Sequence, residues 1–209
     1  MTAQWIPIAL GRDVPVGATR SVSVEDRELV IWRGSDGDPH VWEDRCPHRG
    51  MRLSFGFVRD NALNCLYHGW QYGAGSQCLR IPAHPDLSVP PSIRANAHAS
   101  AEAGGMIWTR MDNRSEVPLP DLPERGEPLL TLAVDAELDD IRSAAGQNAQ
   151  VNGAQLLTLA HAHSVLHLGW HRAGKGKTML HVIIESGEKA VAIGLLRNLR
   201  SLAEGEMAI

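Results

Sequence analysis

Short β-branched and aromatic segments dominate the first part of the chain and predict antiparallel strands. Residues 21–24, 28–32 and 40–42 are rich in Val, Ile and Trp, and turn-forming residues such as those at 35–39 separate them. Residues 46–85 show no apolar stripe at a period of 3.6 and contain five glycines, so we expect loops on a small sheet scaffold. Residues 106–110 (MIWTR) supply a closing strand.

A proline-rich stretch divides the chain. Residues 113–128 (NRSEVPLPDLPERGEP) contain four prolines, which are unfavourable in helices and in central strands. We therefore predict a first domain at residues 1–112, a linker at 113–128 and a second segment at 129–209.

The second segment has a different pattern of apolar and polar residues, which predicts a short α+β unit. Residues 129–134 are typical of a strand. From 139 to 168, apolar positions recur at helical spacing and predict a helix. Residues 169–177 form a Gly-rich basic loop in this interpretation, and 178–185 with 190–195 form a hairpin around Ser186-Gly187. The expected fold is mainly β in the first domain, followed by this short α+β segment.

Composition excludes several classes of protein. Twenty Lys and Arg against 24 Asp and Glu give a formal net charge of −4, which is opposite to the cationic field of nucleic-acid-binding proteins. No uncharged apolar run reaches membrane-spanning length, and the N-terminus has no basic region typical of a signal peptide. We expect a cytoplasmic protein without nucleic-acid or membrane partners, in which the cysteines bind metal rather than form disulfides.

Two short segments each offer one thiolate and one imidazole: Cys46 with His48, and Cys65 with His68. A Cys2His2 zinc finger places its two cysteines on one element and its two histidines on another, which differs from this mixed arrangement. A Rieske [2Fe–2S] centre uses two cysteines on one iron and two histidines on the other. The four residues therefore predict a [2Fe–2S] cluster, with zinc or no metal as the alternatives.

The sequences around these four residues resemble a known family. WEDRCPHRGMRLSFG and NCLYHGWQYGAGSQCLRIPAHP are similar to the cluster-binding segments of Rieske non-haem iron oxygenase alpha subunits, as are WIPIALGRDVP and LVIWRG. The likeness covers residues 5–110 and is strongest to the ring-hydroxylating and vanillate demethylase-like group. It implies a Rieske domain built from small antiparallel sheets with two cluster-binding loops.

Neighbouring residues of the two loops refine this resemblance. The Rieske proteins of respiratory complexes carry an extra cysteine in each loop, whereas Met51 and Tyr67 stand in those neighbourhoods here, which disfavours a respiratory role. We expect Trp70 to belong to the core of the small domain and Cys78 to be a small buried apolar residue rather than a ligand.

The resemblance also implies a mononuclear Fe(II) site, held by two histidines on a helix and a carboxylate far downstream. His161, His163 and His167 lie in the segment predicted as a helix, but Thr158 stands where the family carries an aspartate when His161 is aligned. The acidic residues that follow are Glu185, Glu188, Glu204 and Glu206. None has the family's position, so we expect a degenerate site, with intact mononuclear iron at these histidines as the alternative.

Three functions are compatible with these features. The first is the oxygenase component of a ring-hydroxylating or demethylating system, which takes electrons from a reductase or ferredoxin and assembles as a homotrimer or mixed oligomer. The second is a ferredoxin-type electron carrier without oxygenase activity, and the third is a non-redox binding module in which the second segment mediates assembly. The sequence does not identify a substrate.

Overall fold

Fifteen strands in three antiparallel sheets make up most of the regular secondary structure of this computed structural model, which describes residues 4–112, 117–120, 122, 126–151 and 155–205. In chain order the strands are β1 (Ile6–Leu10), β2 (Thr19–Val24), β3 (Arg27–Arg33), β4 (Pro39–Glu43), β5 (Phe57–Arg59), β6 (Ala62–Asn64), β7 (Gln71–Gly73), β8 (Cys78–Arg80), β9 (Ala97–Ala103), β10 (Met106–Arg110), β11 (Glu127–Val134), β12 (Ala149–Val151), β13 (Leu156–His161), β14 (Ser164–Gly174) and β15 (Lys177–Ser186). The α-helices are α1 (Leu138–Ala145) and α2 (Lys189–Ala203). The expected mainly β fold is confirmed.

The N-terminal sheet has the strand order β1-β10-β9-β4-β3-β2. Strands β2 and β3 form a hairpin through Glu25 and Asp26, whose φ angles of 49° and 63° are those of a two-residue turn that matches strand twist. Both faces of the sheet are buried in apolar clusters. Ile31 and Val41 belong to the cluster on one face, and Trp32 and Trp42 belong to the cluster on the other. The predicted strands at residues 21–24, 28–32, 40–42 and 106–110 all belong to this sheet.

A small sheet of order β5-β6-β7-β8 is inserted between β4 and β9. It packs against the tryptophan face of the N-terminal sheet, where Leu63 and Tyr72 share one apolar cluster with Trp32 and Trp42. This is the loop-rich scaffold expected for residues 46–85.

The C-terminal sheet has the order β11-β15-β14-β13-β12, and α2 covers one of its faces. Ala192, Leu196 and Leu199 are buried at helical spacing on α2 and contact the cluster formed by alternate residues of the sheet. Neither helix among the described residues has the length and apolar content needed to span a bilayer.

The helix predicted over residues 139–168 is wrong beyond α1. Residues 156–161 and 164–174 are the strands of a hairpin, joined by a tight turn at Ala162 and His163. The apolar positions fit both the helical period of 3.6 and the strand period of two. The residues that are buried recur with the strand period of two. Leu157 and Leu159, like Leu166 and Leu168, face α2.

Three further predictions for this segment are wrong. The loop expected at residues 169–177 is the continuation of β14 and the start of β15, and the strand expected at 190–195 is part of α2. Glu127 and Pro128, assigned to the linker, begin β11. This strand lies at the sheet edge, where a proline removes no internal ladder bond. Most of residues 113–125 lie outside the described chain.

The N-terminal and C-terminal sheets are packed directly against one another. Leu10, Met106 and Trp108 of the first sheet share an apolar cluster with Leu156 and Ile183 of the second. A Cβ atom at Gly169 would lie 2.5 Å from Met106 Sδ, so this glycine permits close approach of the two sheets. Gly169 is therefore explained by the packing of the two sheets, and it lies within a strand rather than in a loop.

A chain of polar contacts crosses the same interface. His171 Nδ1 lies 2.9 Å from the Pro7 carbonyl oxygen and 3.1 Å from His181 Nε2, and His181 Nδ1 lies 3.1 Å from Thr131 Oγ1. Thr131 in turn donates to Asp13 Oδ2. Burial lowers the pKa of His171 to about 4, and burial together with the neighbouring His171 lowers that of His181.

These buried imidazoles make the interface sensitive to acid. The unfolded chain takes up protons at His171 near its ordinary pKa of 6.5, whereas the folded chain does so only near 4. The free energy of unfolding should therefore fall as pH decreases from 6.5 to 4, by about 3 kcal/mol from this residue. We expect denaturant unfolding to show a weaker pH dependence in His171→Asn, since Asn keeps a donor towards Pro7 but does not titrate.

The matched control for this prediction is His84→Asn, which removes an exposed histidine. Equal pH dependence of unfolding in the two variants would contradict the role given to His171.

Candidate metal centre

The segments that carry Cys46 and Cys65 fold into two similar loops. In the first, the Cys46 carbonyl accepts from Gly50 N at 2.8 Å and Cys46 N donates to the Met51 carbonyl at 2.8 Å. In the second, the Cys65 carbonyl accepts from Gly69 N at 3.0 Å and Cys65 N donates to the Trp70 carbonyl at 2.9 Å. Each loop is thus closed on the backbone of its own cysteine.

Glycine is required where each loop turns back. Gly50 and Gly69 have φ angles of 72° and 68°, in the left-handed region that other residues adopt at a cost. At Gly69 a Cβ atom would also lie 3.1 Å from Pro82 Cγ, whereas at Gly50 it would meet nothing within 4 Å. Gly69 is therefore the more closely packed of the two glycines.

Both thiols lie inside the protein, next to the apolar cluster shared by the small and N-terminal sheets. Cys46 and Cys65 are buried, and Cys46 Sγ lies 3.2 Å from the Tyr72 hydroxyl. Burial raises the pKa of the Cys65 thiol, and the adjacent Cys46 raises it further. Burial also raises the pKa of Tyr72, so its hydroxyl remains a donor towards the sulfur.

The two imidazoles lie on the outer side of the loops. The ring centroids of His48 and His68 are 4.7 Å apart at an interplanar angle of 62°. Trp70 stacks on His48 at 4.3 Å with an angle of 6°, and Tyr67 lies against His68 at 3.9 Å. Desolvation, with the nearby His68 and Arg49, lowers the pKa of His48. These contacts hold the two rings at the protein surface.

The four side chains are suited to a centre with two metal ions. Two sulfur donors lie inside and two nitrogen donors lie outside, as a cluster with unlike irons requires. Within the described part of the chain, no three His, Cys, Asp or Glu side chains converge as ligands of a single ion. A binuclear cluster does not need such a group, because each iron takes only two protein ligands and is completed by sulfide.

Some residues of the site carried no sequence signal. Asp44 is fully buried beside Cys46 and accepts from Ser54 N at 2.7 Å and Ser54 Oγ at 2.6 Å, which fixes the end of the first loop. An aspartate before a cysteine motif gives no indication of such burial. Tyr72 was likewise missed, although it follows the second loop closely.

Two neighbouring residues can be compared with their expected roles. Trp70 packs against the apolar cluster as expected, and it also stacks on His48. Cys78 is buried in that cluster, with its Sγ 3.6 Å from the Arg80 carbonyl.

The second group of histidines does not lie on a helix. His161 and His163 are exposed at the turn between β13 and β14. His167 is buried on the sheet face opposite α2, where its Nε2 lies 2.6 Å from Glu185 Oε2 and its Nδ1 lies 3.1 Å from Thr158 Oγ1. The expectation that His161, His163 and His167 lie on a helix is wrong, because residues 156–174 form the hairpin of β13 and β14.

Comparison with known proteins finds a matching family and several similar proteins. Residues 4–91 match the family described as Rieske [2Fe-2S] domain. The chain is 36% identical over 152 residues to the oxidoreductase NdmD of Pseudomonas putida, covering 69% of this chain and 26% of that protein. It is 32% identical over 125 residues to the 3-chlorobenzoate-3,4-dioxygenase oxygenase subunit of Comamonas testosteroni, covering 59% and 28%. The matched region spans about a quarter of the length of these relatives.

A solved structure shares the fold over nearly the whole chain. NdmA of Pseudomonas putida CBB5 superposes with a TM-score of 0.80 at 18% identity, covering 99% of this chain and 81% of that one. The likeness therefore extends beyond the family match at residues 4–91 into the C-terminal sheet.

The backbone of the second loop leads to a testable difference between glycines. Gly69→Ala should lower the free energy of unfolding by more than the about 1–2 kcal/mol typical of a left-handed non-glycine residue, since its methyl group also contacts Pro82. Gly50→Ala should lower the free energy of unfolding only by the about 1–2 kcal/mol of the left-handed conformation, because its methyl group meets nothing within 4 Å. Denaturant unfolding monitored by circular dichroism measures both.

Gly75→Ala provides the control, because a Cβ atom there meets nothing within 4 Å and its φ is not positive. A loss of stability in Gly69→Ala no larger than in Gly75→Ala would contradict the description of this loop.

Proposed function

The chain carries a Rieske [2Fe–2S] domain and is related to the oxygenase components of Rieske non-haem iron systems, and we propose on this basis that it transfers single electrons as an oxygenase-type component. The observation that supports this most directly is the pair of similar loops, each closed on a buried cysteine with its histidine turned outward. When bound, a [2Fe–2S] cluster supplies reversible one-electron chemistry.

In this proposal Cys46 and Cys65 hold one iron and His48 and His68 hold the other. The buried sulfur side is kept from water by Tyr72 and the neighbouring apolar cluster, and Tyr72 donates towards Cys46 Sγ. Trp70 keeps the His48 ring in one orientation by stacking on it. The protein thus fixes an asymmetric site with the imidazoles nearest to solvent.

The imidazole side offers the surface for electron exchange. Leu66 and Tyr67 are each 60% exposed in the second loop, next to His68. Exposed apolar side chains near a redox centre favour brief docking of a protein partner. We propose that a reductase or ferredoxin donates electrons here, and that the acceptor lies in the same homotrimer or mixed oligomer.

The second histidine group does not fit the mononuclear iron site of the family in the described residues. His161 and His163 are exposed at a turn, and His167 is already engaged by Glu185 and Thr158. We therefore derive no catalytic step at these residues. We propose that the mononuclear site is degenerate in this chain and that substrate oxidation requires a complete partner subunit.

Removal of one thiol tests the ligand assignment. Purified protein should contain iron and acid-labile sulfide in the equal ratio of a [2Fe–2S] cluster, and Cys46→Ser or Cys65→Ser should lose both. Cys78→Ser is the matched control, since it alters a third buried cysteine in the same cluster of side chains. Iron and sulfide analysis with electron paramagnetic resonance of the reduced protein measures the outcome, and one zinc per chain would overturn the proposal.

Oxygen uptake separates the oxygenase-type component from a ferredoxin-type carrier. Cluster-loaded protein should be reduced by a reductase without consuming oxygen on methoxy- or hydroxybenzoates, and should support consumption as part of a stable mixed oligomer with an added complete oxygenase subunit. If it supports consumption without forming a stable oligomer with that subunit, the carrier is correct. Stoichiometric binding of a third iron with substrate-dependent oxygen uptake by this chain alone would overturn the degenerate site.

The contact between Tyr72 and Cys46 predicts a change in reduction potential. A hydroxyl donor stabilises the more negative, reduced cluster more than the oxidised one, so Tyr72→Phe should lower the potential. The expected change is tens of millivolts, because about 59 mV corresponds to 1.4 kcal/mol for one electron.

Voltammetry of the variant against Tyr67→Phe, which removes an exposed hydroxyl near His68, isolates this effect. An unchanged potential in Tyr72→Phe would show that the hydroxyl does not act on the sulfur.

A further inference from the structure

A cavity of about 590 Å³ lies between β2 of the N-terminal sheet and the strands β11, β14 and β15 of the C-terminal sheet. It is on the face of the C-terminal sheet opposite α2, because His171 and His181 line it while their neighbours in sequence pack against that helix. None of Cys46, His48, Cys65 and His68 lines it. We refer to this cavity as the interface cleft.

Basic side chains predominate among the charged residues of the interface cleft. Arg20, Lys175 and Lys177 line it, against the single carboxylate of Asp26. Arg20 Nη1 lies 3.4 Å from Asp13 and Lys177 Nζ lies 3.8 Å from Asp135, so both are partly balanced. Lys175 is exposed and forms no ion pair with the residues that the structure describes. In a chain with a net charge of −4, this local excess of positive charge favours an anion.

Apolar side chains complete the wall of the interface cleft. Ile8, Val22 and Met179 contribute hydrocarbon surface, and the volume lies within the range of about 300–1,000 Å³ that is usual for small-molecule sites. An inorganic anion would leave this surface without a partner. A ligand with both a charged group and a hydrocarbon part matches the lining better.

His171 contributes a buried ring nitrogen to the wall of the interface cleft. Its Nδ1 lies 2.9 Å from the Pro7 carbonyl and therefore carries the proton, which leaves Nε2 as an acceptor in the neutral ring. Nε2 is buried and forms no hydrogen bond of ordinary length with the described residues, although the Ser23 backbone approaches the ring closely enough to raise its pKa against the effect of burial. A buried acceptor of this kind carries a desolvation cost that a donor from a ligand would remove.

We propose that the interface cleft binds a small amphipathic carboxylate, with its carboxyl group sharing a proton with His171 Nε2 near the basic residues and its hydrocarbon part against Ile8, Val22 and Met179. The proposal does not depend on the cluster or on the proposed function. At neutral pH the free ligand is ionised and His171 is neutral, so formation of the complex takes up one proton. That proton lies between a carboxyl oxygen and the imidazole nitrogen.

The other charged groups around His171 are Arg20, Lys175, Lys177 and Asp26, which line the interface cleft, and Asp13, which lies 3.4 Å from Arg20 Nη1. His181 is buried against His171, and its pKa is lowered by that burial and by His171. One proton per ligand is expected between pH 6 and 8.

Titration calorimetry on the purified full chain tests the recognition of charge and tail. Octanoate should bind at least about tenfold more tightly than octanamide or inorganic phosphate, because the amide lacks the charge and phosphate lacks the tail. Equal binding of octanoate and octanamide would overturn the role of the basic residues. Phosphate binding as tight as that of octanoate would overturn the amphipathic ligand, as would the absence of any octanoate binding.

Two variants locate the site. Lys175→Gln should weaken octanoate binding about three- to fivefold, as expected for one partly exposed charge. Lys189→Gln removes the same charge from α2, where Lys189 is paired with Glu127, and should leave binding unchanged. Equal effects of the two variants would show that octanoate binds elsewhere.

The pH dependence tests the proton. Affinity for octanoate should fall about tenfold per pH unit between pH 6 and 8 in the native chain. In His171→Asn the affinity should be nearly independent of pH, while Lys175→Gln keeps the native slope. A flat profile in the native chain would overturn the placement of the carboxyl group at His171.

Discussion

The backbone closure of each cysteine loop is the constraint on which the candidate metal centre depends. A loop that returns on its own cysteine fixes the direction of the Cα–Cβ bond, so the thiol points inward. The same closure forces the chain through a left-handed glycine and brings the histidine to the outer side. Two loops of unlike sequence, with histidine two residues after Cys46 and three after Cys65, therefore present similar donors.

The sequence predicted those parts of the fold that depend on local chemistry. The strands at residues 28–32 and 106–110 were predicted correctly because strand propensity is a property of single residues. Residue type likewise identified the four residues of the mixed motif as candidate ligands. The segment around His167 was not predicted correctly, because its apolar positions fit helix and strand equally. The sheet alternative is favoured by α2, which covers alternate residues of β13 and β14 and lies far along the chain.

Contacts between the two large sheets explain other errors. Gly169 was taken for a loop residue, although it lies within a strand where Met106 approaches closely. The partners of His171, at Pro7 and His181, come from separate strands, so no local pattern indicates its burial. The residue types at such contacts depend on the element that packs against them. The identity of that element cannot be read from the neighbouring sequence.

The position of the small sheet within the chain has a consequence for maturation. Its two connections leave and re-enter through β4 and β9, which pair directly through Val41 with His98 and Trp42 with Ala97. The base of the insertion is therefore held by a ladder that does not include the cysteine loops. If these thiols hold the proposed cluster, opening of the insertion would leave this ladder intact and would expose the buried thiols to iron and sulfide after the rest of the chain has folded.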